Sequence, residues 1–286
     1  MYEFSPVLVK GVENIKKFKY TLFVLIIIIC VVIGVIYGFN LQNDSPTTCN
    51  STLEAVNVLI YRGEGSTTDS VEGIIYCLKQ AEKDNLNIQF NYTTTDVINS
   101  KTLANQDVLV ISGGDIRLIF NNPDINPDDI KKFVEEGKGY LGICAGAYVA
   151  SNYNGEYGSG WGIAPNIECN YASIDDMQPL TLTNYGINTL KYSEGTINPC
   201  AFVINDTETI TLLSFPLINS PRLYKNGNYT PIAIYTENDT IMSGSAAILD
   251  DTYGSGRIIL SGPHPELNPA KPGLVARMVL WASKRI

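Results

Sequence analysis

The chain carries a single histidine in 286 residues. It lies in Ser261-Gly262-Pro263-His264-Pro265-Glu266, with a carboxylate two residues further on. A cysteine stands in Gly142-Ile143-Cys144-Ala145-Gly146, with a glycine two residues to either side. Cys144, His264 and Glu266 are the components of a Cys-His-Glu triad. The thiol is the nucleophile, the imidazole takes and returns the proton, and the carboxylate fixes the tautomer. No other Cys–His arrangement is open to this chain, because it holds no other imidazole. Each piece alone is a weak sign. Small residues suit any tight strand-to-helix turn, and His-Pro-Glu is commonly a surface turn. Their joint occurrence, each at a predicted strand end, is far less common.

The turn has a mechanical consequence. A Gly-x-nucleophile-x-Gly turn between strand and helix holds its central residue in a strained conformation. It aims the sulfur out of the strand end, where open α/β sheets bind ligands. It also sets the sulfur at a helix N-terminus, which favours thiolate over a thiol of ordinary pKa about 8.5. The Ala145 N–H is one candidate oxyanion donor. Gly113 and Gly114, in Ser112-Gly113-Gly114, are the second source, since glycine lets backbone approach a substrate closely. Pro263 and Pro265 restrict the backbone on both sides of His264. No metal-ligand cluster and no cofactor motif is read.

These residues need elements to position them. Residues 55–61 read as a buried strand and Ser70–Asp84 as an amphipathic helix. Ile88–Tyr92 and Asp107–Ile111 are the next strands. Asn126-Pro127 starts a helix over Asp128–Glu136. Gly139–Ile143 is a short strand ending at Cys144, and a helix begins at Ala145. Gly256–Ser261 is a core strand that delivers His264, and Lys271–Lys284 closes as a helix. Strands alternating with helices predict a parallel sheet covered on both faces. Residues 153–253, rich in Asn, Thr, Tyr and Gly, predict an antiparallel insertion.

The remaining composition bounds partners and place. With 20 basic and 29 acidic residues the formal net charge is -9, which argues against nucleic acid as a partner. Lys10, Lys16, Lys17 and Lys19 precede an uncharged apolar run over residues 20–39. That run is long enough to cross a bilayer as one helix, making membrane lipid a partner. The lysines would put residues 1–19 in the cytoplasm and everything past a linker at 40–54 outside the cell, in a single domain over 55–286. Five sequons, at Asn50, Asn91, Asn205, Asn228 and Asn238, agree with export. Setting aside Cys30 and Cys144, four cysteines remain: Cys49, Cys77, Cys169 and Cys200. They allow three pairings. Cys169 with Cys200 is favoured, because both lie in the insertion, and free buried thiols are the alternative.

The order Gly113-Gly114, then Tyr140-Leu141-Gly142-Ile143-Cys144-Ala145-Gly146-Ala147-Tyr148, then His264-Pro265-Glu266 resembles the type 1 glutamine amidotransferase superfamily. The Leu-Gly-Ile-Cys-Ala-Gly-Ala-Tyr string is similar in particular to the N-terminal domain of biotin-protein ligases. The resemblance implies a flavodoxin-like, doubly wound parallel sheet and the triad of Cys144, His264 and Glu266. Ligase activity is not implied, since no ligase catalytic domain follows. Three functions compete. The first is a Cys-His-Glu amide hydrolase acting on a small-molecule or peptide amide. The second is a non-catalytic binding or scaffold module on the same fold. The third is a glutaminase subunit supplying ammonia to a partner, ranked last because an extracellular domain has no ATP to activate an acceptor. The sequence leaves the oligomeric state open.

Overall fold

The computed structural model describes residues 55–84, 88–170, 179–191, 210–211, 222–236, 243–268 and 270–286, all within one compact unit, Asn50–Ile286. Thirteen strands are described: β1 (Val56–Tyr61), β2 (Phe90–Thr95), β3 (Val108–Ile111), β4 (Gly139–Ile143), β5 (Asn154–Gly155), β6 (Gly158–Ser159), β7 (Ile167–Asn170), β8 (Pro179–Leu182), β9 (Ile210–Thr211), β10 (Arg222–Lys225), β11 (Ala233–Tyr235), β12 (Ala246–Tyr253) and β13 (Gly256–Ser261). The helices are α1 (Thr68–Asp84), α2 (Ser100–Leu103), α3 (Ile116–Phe120), α4 (Pro127–Glu135), α5 (Ala145–Ala150), α6 (Asn184–Thr189) and α7 (Pro272–Ala282).

The main sheet runs β2-β1-β3-β4-β13-β12-β11-β8-β9, with β10 pairing β12 and β7. From β2 to β13 every pairing is parallel. From β12 onward the pairings are antiparallel. The five parallel strands taken in chain order follow 2-1-3-4-5, consistent with a flavodoxin-like fold. This is the mixed α/β architecture expected from the sequence. The described part of the insertion supplies the antiparallel extension.

The central strands β1, β3, β4 and β13 are buried on both faces, and the alternation of their side chains sorts the core into two layers. Val58, Ile60, Val108, Val110, Leu141, Ile143 and Ile259 face α1 and α7, against Val71, Ile74, Leu78, Leu274, Val275 and Met278. Leu59, Leu109, Ile111, Tyr140, Ile258 and Leu260 pack with Ile130, Phe133 and Val134 of α4 and Val149 of α5. Helix α4 starts where its sequence says it should. Asn126 accepts hydrogen bonds from the Asp128 and Asp129 N–H groups, and Pro127 occupies the first turn.

Two expectations are corrected. Among the described residues no helix is long and apolar enough to cross a membrane. Residues 20–39, which carried the expectation of a transmembrane helix, lie outside those described, as do the tail 1–19 and the linker 40–54. The single-pass, extracellular location is withdrawn, and the sequon reading that leaned on it goes with it. The Cys169–Cys200 disulfide is the second. Cys169 is a free, buried thiol, whose Sγ donates to the Ala147 carbonyl at 3.6 Å. Cys77 is likewise free and buried. Cys30, Cys49 and Cys200 lie outside the described residues.

Candidate active site

Three strand ends converge at the C-terminal edge of the parallel sheet. β3 runs into Ser112-Gly113-Gly114, β4 ends at Cys144, and β13 leads to His264. β4 lies between the other two, so topology alone brings the three loops together.

Cys144 has φ 49 and ψ -102, a region that L-residues rarely occupy and that costs on the order of 1–3 kcal/mol. Its neighbours explain why the strain persists. The Cys144 N–H donates to the Ser261 carbonyl at 2.8 Å, tying the turn to the end of β13. A Cβ on Gly142 would stand 2.5 Å from the Gly146 carbonyl oxygen, and one on Gly146 would stand 2.0 Å from the Ile111 carbonyl oxygen. Only glycine fits at either place, so the turn is clamped between its own strand and β3. The Cys144 side chain makes no capping hydrogen bond to α5. Ala145 is the first residue of α5, a position whose N–H has no acceptor within its helix.

His264 is 2% exposed and Glu266 is 2% exposed. His264 Nδ1 and Glu266 Oε1 are 2.8 Å apart. With the carboxylate at Nδ1, a proton sits there. Cys144 is near enough to His264 to raise the pKa of the imidazole. Burial acts to lower the His264 pKa. The Glu266 carboxylate, the charge of Cys144 and hydrogen bonding overcome it, and the imidazole is pushed up to about 10. The imidazole is therefore held in its protonated form.

The sheet-edge glycines divide their work differently from the sequence expectation. The Gly113 N–H donates to Ser70 Oγ at 3.1 Å, so it is not available to an oxyanion as expected. Gly113 instead makes room, since a Cβ there would lie 2.3 Å from His264 Cε1. The imidazole edge rests directly on the Gly113 backbone. Gly114 is packed against the β1–α1 loop, where a Cβ would lie 1.9 Å from the Gly65 carbonyl oxygen. The Gly113 carbonyl accepts from the Thr67 N–H at 3.0 Å and from Thr67 Oγ1 at 3.1 Å. The loop orientation is thus fixed from both sides.

Ser70 and Gly73 of α1 were not among the residues singled out from the sequence. The buried Ser70 hydroxyl donates to Glu266 Oε1, the same oxygen that holds His264. A Cβ on Gly73 would lie 2.5 Å from the Glu266 carbonyl oxygen. α1 is therefore the floor under the carboxylate, and the chain Gly113 N–H, Ser70 Oγ, Glu266 Oε1, His264 Nδ1 is continuous. The one available signal was a face of small residues, Ser70, Gly73 and Cys77, at helical spacing inside an apolar stripe. Ser70→Ala leaves the buried Gly113 N–H without an acceptor and the carboxylate without one of its two donors. We expect a loss of roughly 1–3 kcal/mol in urea unfolding, together with slower modification of Cys144. Unchanged stability would show that Ser70 holds nothing in place.

Among the described residues no group of three or more His, Cys, Asp or Glu is placed to hold a metal ion. Cys144 itself is 1% exposed.

Comparison with known proteins agrees with this arrangement at the level of family and fold. Residues 56–160 match the family model described as biotin-protein ligase, N terminal. That segment holds Gly113, Gly114, Cys144 and Ala145, and bears out the family resemblance there. His264 and Glu266 lie beyond it. No curated protein matches the chain. Among solved structures, PurLQS from Thermotoga maritima is 15% identical, covers 79% of this chain and 97% of its own, and superposes with a TM-score of 0.50. A ThuA-like protein from Bacteroides uniformis ATCC 8492 is 13% identical over 79% of this chain and 91% of its own, with a TM-score of 0.52. At such identities the likeness is one of fold alone.

Proposed function

We propose that the glutamine amidotransferase-like domain is a Cys-His-Glu amide hydrolase. What supports this reading is a strained, positive-φ Cys144 at the same sheet edge as His264, with His264 held through Nδ1 by buried Glu266. In the reaction the Cys144 sulfur attacks the carbonyl carbon of an amide and a C–S bond forms. The carbonyl π pair moves to oxygen, which meets the N–H groups of Ala145 and Gly114. His264 gives its proton to the departing nitrogen, the C–N bond breaks, and an acyl-thioester remains. His264 then takes a proton from water as that water attacks the thioester. The carboxylic acid leaves and the thiol is restored. Glu266 stays ionised throughout and keeps the ring oriented.

A small amide suits the site better than a bulky one, because the sulfur is buried. The test is ammonia or amine release from a panel beginning with glutamine, asparagine and simple primary amides. We expect turnover of at least one member by the wild-type chain and none by Cys144→Ala. Turnover that survives Cys144→Ala would remove the sulfur from the mechanism.

The same burial favours a second reading, a binding module in which the triad is retained but sealed. That reading predicts no turnover of any amide and no modification of Cys144 by small carbonyl electrophiles.

A further inference from the structure

Three tyrosines are among the largest fully buried side chains, Tyr61, Tyr140 and Tyr235. Two have their hydroxyls satisfied. Tyr61 donates to the Glu64 carbonyl at 2.9 Å and accepts from Asn122 Nδ2 at 2.7 Å. Tyr140 donates to the Gly146 carbonyl at 2.8 Å. The Tyr235 hydroxyl is buried with no hydrogen-bond partner. A tyrosine hydroxyl in an apolar interior ordinarily finds one.

The position of Tyr235 indicates what the hydroxyl is for. Tyr235 ends β11, and its N–H donates to the Ser245 carbonyl at 3.0 Å. Ser245 directly precedes β12, and the next residues of β12 lie beside the end of β13. Ala247 accepts from the Gly262 N–H at 2.9 Å, two residues before His264. Tyr235 therefore stands at the same sheet edge as Cys144 and His264, on the far side of β13 from Gly113. It shares one buried cluster with Cys144, Ile143 and Ala247. Burial first, then the charges of Cys144 and Cys169, hold the Tyr235 hydroxyl well above the ordinary tyrosine range. It is close enough to the nucleophile to sense its charge, and it stays protonated as a donor at any working pH.

We propose that the Tyr235 hydroxyl is a substrate-binding donor that hydrogen-bonds the acyl oxygen during attack by Cys144, alongside the backbone N–H groups. This rests on the amide-hydrolase reading above and adds to it a side-chain donor from the antiparallel extension. A phenol at that edge narrows the acyl group accepted to a small one.

The test uses two reagents on the whole chain. p-Nitrophenyl acetate carries a carbonyl that becomes an oxyanion as the Cys144 sulfur adds; p-nitrophenolate then leaves and acetyl-Cys144 remains. Methyl methanethiosulfonate transfers a methylthio group to the same sulfur, expelling methanesulfinate with no oxyanion. Tyr235→Phe removes the hydroxyl and keeps the ring. We expect acetylation of Cys144 to slow by at least about tenfold and methylthiolation to stay unchanged. Because the hydroxyl makes no bond in the folded chain, the melting temperature should not fall. Equal acetylation of both proteins would overturn the proposal. Slowing of both reagents to the same extent, or a lowered melting temperature, would also overturn it by giving Tyr235 a packing role. If wild-type Cys144 is methylthiolated but never acetylated, the amide-hydrolase reading fails and this proposal falls with it. Acetylation lost in Cys144→Ala and slowed in Tyr235→Phe supports both.

Discussion

His264→Ala should slow acylation of Cys144 by about 10³-fold. The size follows from the absence of any substitute, since the chain has no second imidazole. The ring is also held in place, with Glu266 at Nδ1 at 2.8 Å. The same variant should change how stability depends on pH. In the folded chain His264 keeps its proton up to about 10, against about 6.5 in an unfolded chain. A raised pKa contributes stability that is whole below about pH 6.5 and is lost as pH rises toward about 10. Urea unfolding of the wild type should therefore show declining stability between those limits. His264→Ala should show a smaller decline, measured against the same buffers. A parallel decline in both proteins would mean that the proton on His264 is not held by its partners. Glu266→Gln should slow acylation less than His264→Ala, because the carboxylate orients and does not carry the proton away.

Gly146→Ala should be among the most damaging single methyls in the domain. Its Cβ would lie 2.0 Å from the Ile111 carbonyl oxygen, 2.8 Å from the Ile111 carbonyl carbon and 3.1 Å from the Ile111 Cβ. These atoms belong to β3, paired with β1 on one side and β4 on the other, so none can swing away. The Gly146 carbonyl also receives the Tyr140 hydroxyl, and its N–H donates to the Ser112 carbonyl at 3.2 Å. Moving α5 out to admit the methyl strains both bonds and the Cys144 turn with them. We expect a loss of at least about 3 kcal/mol in urea unfolding, or failure to accumulate as soluble protein. A stable Gly146→Ala protein with Cys144 still reactive would show that the turn has slack.

The parallel half of the fold was legible because four of its five strands are short and largely apolar, β2 with its three threonines being the exception. Gly139–Ile143 and Gly256–Ser261 were read with the bounds that β4 and β13 have. Asn126-Pro127 marked the start of α4 because a side-chain cap and a fixed φ are local properties. α2 and α3 were missed because four or five residues are too few to show a period. Cys144, His264 and Glu266 stood out by residue type and order. Ser70 could not stand out, because its partner Glu266 lies 196 residues away and a serine in a helix says nothing by itself. Gly113 was read as a donor because sequence shows that a side chain is missing and not what fills its space. Here that space holds the His264 ring. Tyr235 sat in a stretch read only as an antiparallel insertion, and its orphaned hydroxyl is visible only once β11 is placed beside β12.

Trapping the acyl-enzyme is the most direct measurement of whether Cys144 is an activated nucleophile. The described residues hold three free, buried thiols, Cys77, Cys144 and Cys169, which serve as one another's controls. Burial pushes the Cys77 thiol well above the ordinary range, with Glu266 adding to it, and burial pushes the Cys169 thiol up to about 12. Neither should form a thiolate near neutral pH. After brief exposure to p-nitrophenyl acetate near pH 7 and an acid quench, peptide mass spectrometry should find one acetyl group, on Cys144, in the wild type. It should find almost none there in His264→Ala. Acetyl spread evenly over the three cysteines, or equal acetylation of Cys144 with and without His264, would contradict the triad.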